Sequence, residues 1–107
     1  MIQRENIFEK IPKKLPKEIF ETIFRTESLQ VERIVSKGHT TPLAQWYDQP
    51  HNEWVILLEG EAILSFTEGE DIVLKSGDYI NIPAHKKHRV SWTLPDSETI
   101  WLAIHYS

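Results

Sequence analysis

Short runs of alternating apolar and polar residues, separated by turn residues, make up most of this chain. The period of two is clearest over positions 29–35, Leu-Gln-Val-Glu-Arg-Ile-Val. Further strand-like runs cover residues 53–58, 62–67, 71–75, 79–82, 88–94 and 99–106, with glycine-containing turns at 59–60, 68–70 and 76–78. Short strands with turns at near-regular spacing predict an all-β sandwich or barrel rather than a parallel α/β sheet.

The first 18 residues differ from the rest of the chain. Four lysines and two prolines lie between positions 10 and 17, and prolines oppose both a regular strand and a long helix. We therefore expect an extended N-terminal arm over residues 1–18 and a single β-domain over residues 19–107. Ile7 and Phe8 favour docking of this arm on the barrel or on a second subunit.

Composition narrows the functional classes. The chain has 107 residues, 40% of them hydrophobic and four of them tryptophan, which can fill one core. Its net charge of −4 argues against nonspecific nucleic-acid binding, which needs a basic face. The absence of cysteine excludes disulfides and thiolate chemistry. No apolar run has membrane-spanning length and the N-terminus lacks a signal-peptide pattern, so we expect a cytoplasmic protein without membrane or nucleic-acid partners.

Two blocks of sequence carry side chains suited to chemistry. Glu53 heads a very apolar strand, where a carboxylate must be solvated at the rim or paired. His88 begins a later strand, and a period of two places it on one face with Val90 and Trp92. An imidazole on such a face is either a hydrogen-bonded core residue or a metal ligand or proton carrier.

The spacing within these blocks resembles the two motifs of the cupin superfamily. The first motif has His-x-His, three or four residues, Glu, six residues and Gly, and Glu53 and Gly60 match it. The second has Gly, five residues, Pro-x-Gly, two residues and His, and Gly77, Pro83 and His88 match it. The resemblance implies a double-stranded β-helix, the jelly-roll barrel of cupins, and in typical members a divalent metal held by three His and one Glu.

The chain departs from these motifs at the histidines of the first one. The shorter spacing from Glu53 leads to Tyr47 and Gln49, and the longer spacing leads to Trp46 and Asp48. A histidine, His85, stands where the second motif has its glycine, and histidine tolerates the left-handed conformation of such a turn.

These observations define the candidate site. We expect Glu53 and His88, completed by Gln49 and Tyr47, to hold zinc, iron or manganese weakly. We expect either His105 or Asp48 to transfer protons. His105 shares a strand face with Trp101 and Ala103. The remaining pocket residues are predicted to be Trp46, His51, Trp92 and Trp101.

Two functions stay open at this point. The first is a metal-assisted isomerase, lyase or oxygenase acting on a small polar metabolite in the barrel mouth. The second is a metal-free barrel that binds or senses a small ligand without turnover, which the loss of both motif-one histidines favours. Because a free edge strand needs cover, we also expect a homodimer to which the arm contributes.

Overall fold

The computed structural model describes residues 1–107 and consists of β-strands without any α-helix. The eight strands are β1 (Ile19–Arg25), β2 (Leu29–Ser36), β3 (Asn52–Glu59), β4 (Glu61–Phe66), β5 (Ile72–Lys75), β6 (Tyr79–Ile82), β7 (His88–Thr93) and β8 (Thr99–Tyr106). They form a five-stranded sheet in the order β1-β2-β8-β3-β6 and a three-stranded sheet in the order β5-β4-β7, with every pair antiparallel. The all-β prediction is confirmed.

The hydrophobic core lies between the two sheets. Its buried members come from both of them: Val55, Leu57, Ile82, Trp101 and Ala103 from the larger sheet, and Ala62, Leu64 and Leu74 from the smaller one. These residues occupy alternate positions along their strands, as expected when one face of a sheet is buried and the other is not.

Cross-strand register divides the inner face of the larger sheet into layers. One layer is apolar and joins Phe20, Ile34, Trp101 and Leu57 across four adjacent strands. Two residues further along, Glu32 pairs with Ala103. The next layer places Glu53 directly beside His105. Glu32, Glu53 and His105 therefore lie together at one end of the inner face, next to this apolar layer.

A β-bulge in β7 changes which of its residues face the core. Ile63 pairs with Trp92 but Leu64 pairs with Val90, so β7 contains one extra residue, Ser91, opposite β4. His88 and Val90 face inward, and the bulge then reverses the alternation. The prediction that Trp92 shares the inner face with His88 is wrong for this reason.

Arg33 attaches the N-terminal arm to the outer face of the larger sheet. Its buried guanidinium donates hydrogen bonds to the carbonyl oxygens of Ile7 and Glu9 at 2.9 and 2.6 Å and pairs with Glu21. The arm ends at Glu18, whose carboxylate accepts a hydrogen bond from the hydroxyl of Ser36. The structure offers no membrane-spanning helix.

Candidate functional site

A cavity opens between the sheets at the polar end of the inner face. Its volume is about 70 Å³, and it is partly open to solvent. Its apolar lining consists of Phe20, Ile34, Val55, Leu64, Ile82, Val90 and Trp101, and its polar lining of Glu18, Glu32, Tyr47, Gln49, Glu53, His88 and His105. An apolar cavity with a few convergent polar groups is typical of a small-molecule site.

Glu53 and His88 face each other across this cavity from opposite sheets. Oε1 of Glu53 lies 3.6 Å from Nε2 of His88, and both side chains are almost fully buried. Nδ1 of His88 lies 2.8 Å from the carbonyl oxygen of Lys86, so the ring donates from Nδ1 and the neutral imidazole has its lone pair on Nε2. Burial lowers the pKa of His88, but Glu53 and the Lys86 carbonyl outweigh it and raise that pKa above 6.5.

Glu32 and His105 form a second pair on the larger sheet. Nε2 of His105 lies 3.3 Å from Oε1 of Glu32, with both side chains largely buried. The hydrogen bond to Glu32 raises the pKa of His105, burial opposes the shift, and the charges of Glu53 and Glu32 add to it. In both imidazoles the neighbouring carboxylate therefore favours the protonated form relative to a free histidine.

Tyr47 and Gln49 reach the cavity because their segment runs alongside β7. Two backbone hydrogen bonds join Tyr47 to His88, at 2.8 and 3.2 Å, and the carbonyl of Gln49 accepts a third from the amide of His85. Burial raises the pKa of the Tyr47 phenol, and nearby carboxylates raise it further. The phenol therefore stays protonated and available as a hydrogen-bond donor.

Four other residues that the sequence predicted for the site lie outside the cavity. Asp48 points outward because its neighbours Tyr47 and Gln49 point inward, and it pairs with exposed His85 at 2.9 Å. Trp46 lies on the surface, where the Arg89 guanidinium sits 5.8 Å from its ring. His51 lines an outer groove and contacts the cavity only through His105. Trp92 faces away because of the β7 bulge.

The cavity is also lined by two carboxylates that the sequence patterns did not predict, Glu32 and Glu18. Glu32 lies in β2, where both faces of the strand carry polar as well as apolar residues, so the sequence pattern did not predict that its side chain faces the core. Glu18 lies at the end of a segment assigned to the arm, yet its carboxyl is mostly buried, and this burial raises the pKa of Glu18 above 4.5. Only an inward parity shared with Ile34 and Phe20 could have indicated these two residues.

His85 adopts the left-handed conformation, with φ of 63°, at the position of the motif glycine. The expectation that it takes over the glycine's role in the turn is confirmed. Its imidazole consequently points to the surface rather than the cavity.

Comparison with known protein families identifies the family to which this chain belongs. The family model described as "Cupin domain" matches residues 32–105. The chain belongs to the cupin family. It is a small single-domain cupin, and no curated protein matches it.

Solved structures support the same assignment. A candidate mannose-6-phosphate isomerase from Ralstonia eutropha JMP134 is 36% identical, with a TM-score of 0.94 over 99% of both chains. A cupin with a double-stranded β-helix fold from Methanocaldococcus jannaschii is 18% identical, with a TM-score of 0.73 over 99% of this chain and 92% of that one. A cupin superfamily protein from Desulfitobacterium hafniense is also 18% identical, with a TM-score of 0.74 over 90% and 83%. The double-stranded β-helix prediction is confirmed.

The donor set of this cupin does not fit a resident divalent metal. Such a metal takes three or four protein donors, with carboxylates ionised and imidazoles neutral. Of the four predicted ligands, only Glu53 and His88 are of these types, because Tyr47 is a protonated phenol and Gln49 a neutral amide. No group of three or more His, Cys, Asp or Glu side chains is placed to hold a metal ion. The expected weak zinc, iron or manganese site receives no support from this geometry.

Proposed function

We propose that this cupin catalyses proton transfer on a small polar carbonyl compound, in the manner of an isomerase. The observation that carries the proposal is the pair of His–Glu contacts, Glu53–His88 and Glu32–His105, facing one apolar-walled cavity. An isomerisation of this kind needs one group that accepts a proton and one that donates it, each near its working pKa.

His88 is suited to the role of base. Its Nδ1 hydrogen bond to Lys86 leaves Nε2 as the basic nitrogen, and Nε2 faces the cavity beside Glu53. It would take the proton from the carbon next to the substrate carbonyl. Glu53 would stabilise the imidazolium that forms, because an opposite charge close by favours the protonated ring.

Glu32 with His105 is suited to the role of acid. Both ring nitrogens of His105 already make hydrogen bonds, so this ring would act through Glu32, which lines the cavity. Glu32 would donate a proton to the carbonyl oxygen and give an enediol. The imidazolium of His88 would then protonate the former carbonyl carbon, and Glu32 would take a proton back from the hydroxyl on the neighbouring carbon. Both groups are thereby regenerated, and the isomerisation of a hydroxycarbonyl compound is complete without any oxidant.

The lining supports an uncharged substrate with several oxygen atoms. The indole nitrogen of Trp101 is buried without a hydrogen-bond partner, and such a group costs about 1–3 kcal/mol unless an acceptor is supplied. The Tyr47 phenol and the Gln49 amide offer further hydrogen bonds. Three carboxylates and no Lys or Arg line the cavity, which opposes a phosphorylated ligand. The isomerase chemistry named for the Ralstonia relative fits this proposal, but its phosphate does not.

Deuterium incorporation tests the proposal. Unphosphorylated hydroxyaldehydes and hydroxyketones, each with its phosphorylated counterpart, are incubated with protein in D₂O and followed by NMR. We expect deuterium at the carbon next to the carbonyl, with a rate that His88→Gln and Glu32→Gln lower by about 10²–10⁴. His85→Asn, which keeps a residue suited to the left-handed turn, is the control and should leave the rate unchanged. Faster turnover of the phosphorylated compounds would contradict the substrate class.

A binding module remains the second candidate, and one observation favours it. Where typical cupins have two motif-one histidines, this chain presents Tyr47 and Gln49, which are hydrogen-bonding groups rather than acid–base groups at neutral pH. Ligands that raise the melting temperature but acquire no deuterium would establish binding without turnover and refute the isomerase proposal.

A further inference from the structure

His105 separates the cavity from a groove on the outer surface and contributes to the lining of both. The groove is formed by the turn after β1, the start of β2 and the end of β8, with His51 on its other side. Glu32 lies on the cavity side of His105 and does not line the groove. A single imidazole thus stands between a buried carboxylate and a surface depression.

Hydrogen bonds connect these groups in series. Nε2 of His51 lies 3.1 Å from Nδ1 of His105, with the two rings nearly perpendicular, and Nε2 of His105 lies 3.3 Å from Oε1 of Glu32. An ionised Glu32 accepts a hydrogen bond from Nε2–H of His105, so Nδ1 of the neutral ring must accept a hydrogen bond from Nε2–H of His51. After a proton has crossed, Nδ1–H of His105 donates to Nε2 of His51 instead.

We infer that His51 and His105 form a relay that carries protons between solvent and Glu32. A proton taken up at Nδ1 of His51 releases the Nε2 proton of that ring to Nδ1 of His105. His105 then passes its own Nε2 proton to Glu32, and each ring returns to a neutral form. No electron transfer or co-reactant is needed. The inference rests on the proposed function only for the use made of the proton at Glu32.

The charges around the relay favour its protonated intermediate. Glu32 faces His105 from β2, and Glu53 faces it from β3 in direct cross-strand register. Arg25 and Glu27 carry opposite charges on the groove side. A proton on His105 is therefore stabilised by two carboxylates from within the barrel, and His51 provides its route to solvent.

The test uses the ligand-free protein and one conservative variant, His51→Gln. A glutamine amide can donate to or accept from Nδ1 of His105, so it can replace the hydrogen bond in either state, but it cannot carry a proton. NMR saturation transfer from water measures how fast the Nδ1 proton of protonated His105 exchanges. We expect His51→Gln to slow this exchange about tenfold or more, at the low side of what a positioned acid–base group contributes.

His39→Gln makes the same chemical change outside the relay and should leave the exchange unaltered. Wild-type exchange in His51→Gln would overturn the inference and leave His51 as a positioning residue only. If that variant does not fold, the wild type decides: a ¹⁵N–¹⁵N coupling across the contact between the two rings supports the relay, and its absence overturns it. Neither result depends on deuterium incorporation into a substrate, so the relay and the isomerase proposal fail separately.

Discussion

Alanine substitution at the two motif glycines should destabilise the barrel to different degrees. Both glycines have a positive φ, 98° at Gly60 and 94° at Gly77, so any L-residue is strained there. A Cβ on Gly77 would have no atom within 4 Å. A Cβ on Gly60 would lie 2.4 Å from Oγ1 and 2.7 Å from Cα of Thr99, and 2.9 Å from the carbonyl oxygen of Glu98.

These distances set the expected magnitudes. Gly77→Ala should lower the free energy of unfolding by about 1–2 kcal/mol, the cost of the left-handed conformation alone. Gly60→Ala should add a further ~1–3 kcal/mol of overpacking, because two of its three close contacts are backbone atoms that cannot move aside by a rotamer change.

Urea denaturation of the two variants and the wild type measures the difference directly, provided that all three share one denaturant slope. Each variant serves as the control of the other, since both replace a glycine of positive φ in a tight turn. Equal losses at the two positions would refute the reasoning, because they would mean that the approach of Thr99 does not constrain the β3–β4 turn.

Three further predictions concern the arm, the pH dependence and the assembly. Arg33→Ala should lower the free energy of unfolding by about 2–4 kcal/mol and expose residues 1–18 to protease, whereas Arg25→Ala, at an exposed position, should do neither. The raised pKa values of His88 and His105 mean that the native state binds more protons than the unfolded state, so the stabilisation they give is complete below pH 6.5 and is lost as pH rises through the folded pKa values. The urea concentration at the unfolding midpoint should therefore be lower at about pH 8 than at about pH 6, and a higher value at pH 8 would contradict the assignment. The predicted homodimer would use the open edge of β1, where Phe24 is exposed. Light scattering should find a dimer for the wild type and a monomer for Phe24→Glu, and a wild-type monomer at tens of micromolar would contradict this prediction.

The strands and four of the cavity-lining residues were predictable from the sequence because they depend on local pattern. Apolar alternation and glycine turns predicted the strands from Leu29 onward within two residues at each end. Motif spacing identified Glu53 and His88, and parity along β8 identified Trp101 and His105 as neighbours on one face.

The orientation of the other side chains around the site depends on strand register and on contacts with the arm, which a local sequence pattern does not encode. One extra residue, Ser91, reverses the alternation of β7 and turns Trp92 outward. Both faces of β2 mix polar and apolar side chains because the arm covers the outer one, so Glu32 could not be distinguished from a surface residue. Glu18 enters the cavity only because the arm joins β1 at that point.

The proposed function requires two imidazoles in the cavity whose protonated forms are stabilised by neighbouring carboxylates. An NMR titration of the ring protons of the five histidines tests it most directly in the ligand-free protein. We expect His88 and His105 to titrate above 6.5. Glu53→Gln should lower the midpoint of His88, and Glu32→Gln should lower the midpoint of His105. Midpoints below 6.5 in the wild type, as burial alone would produce, would contradict it.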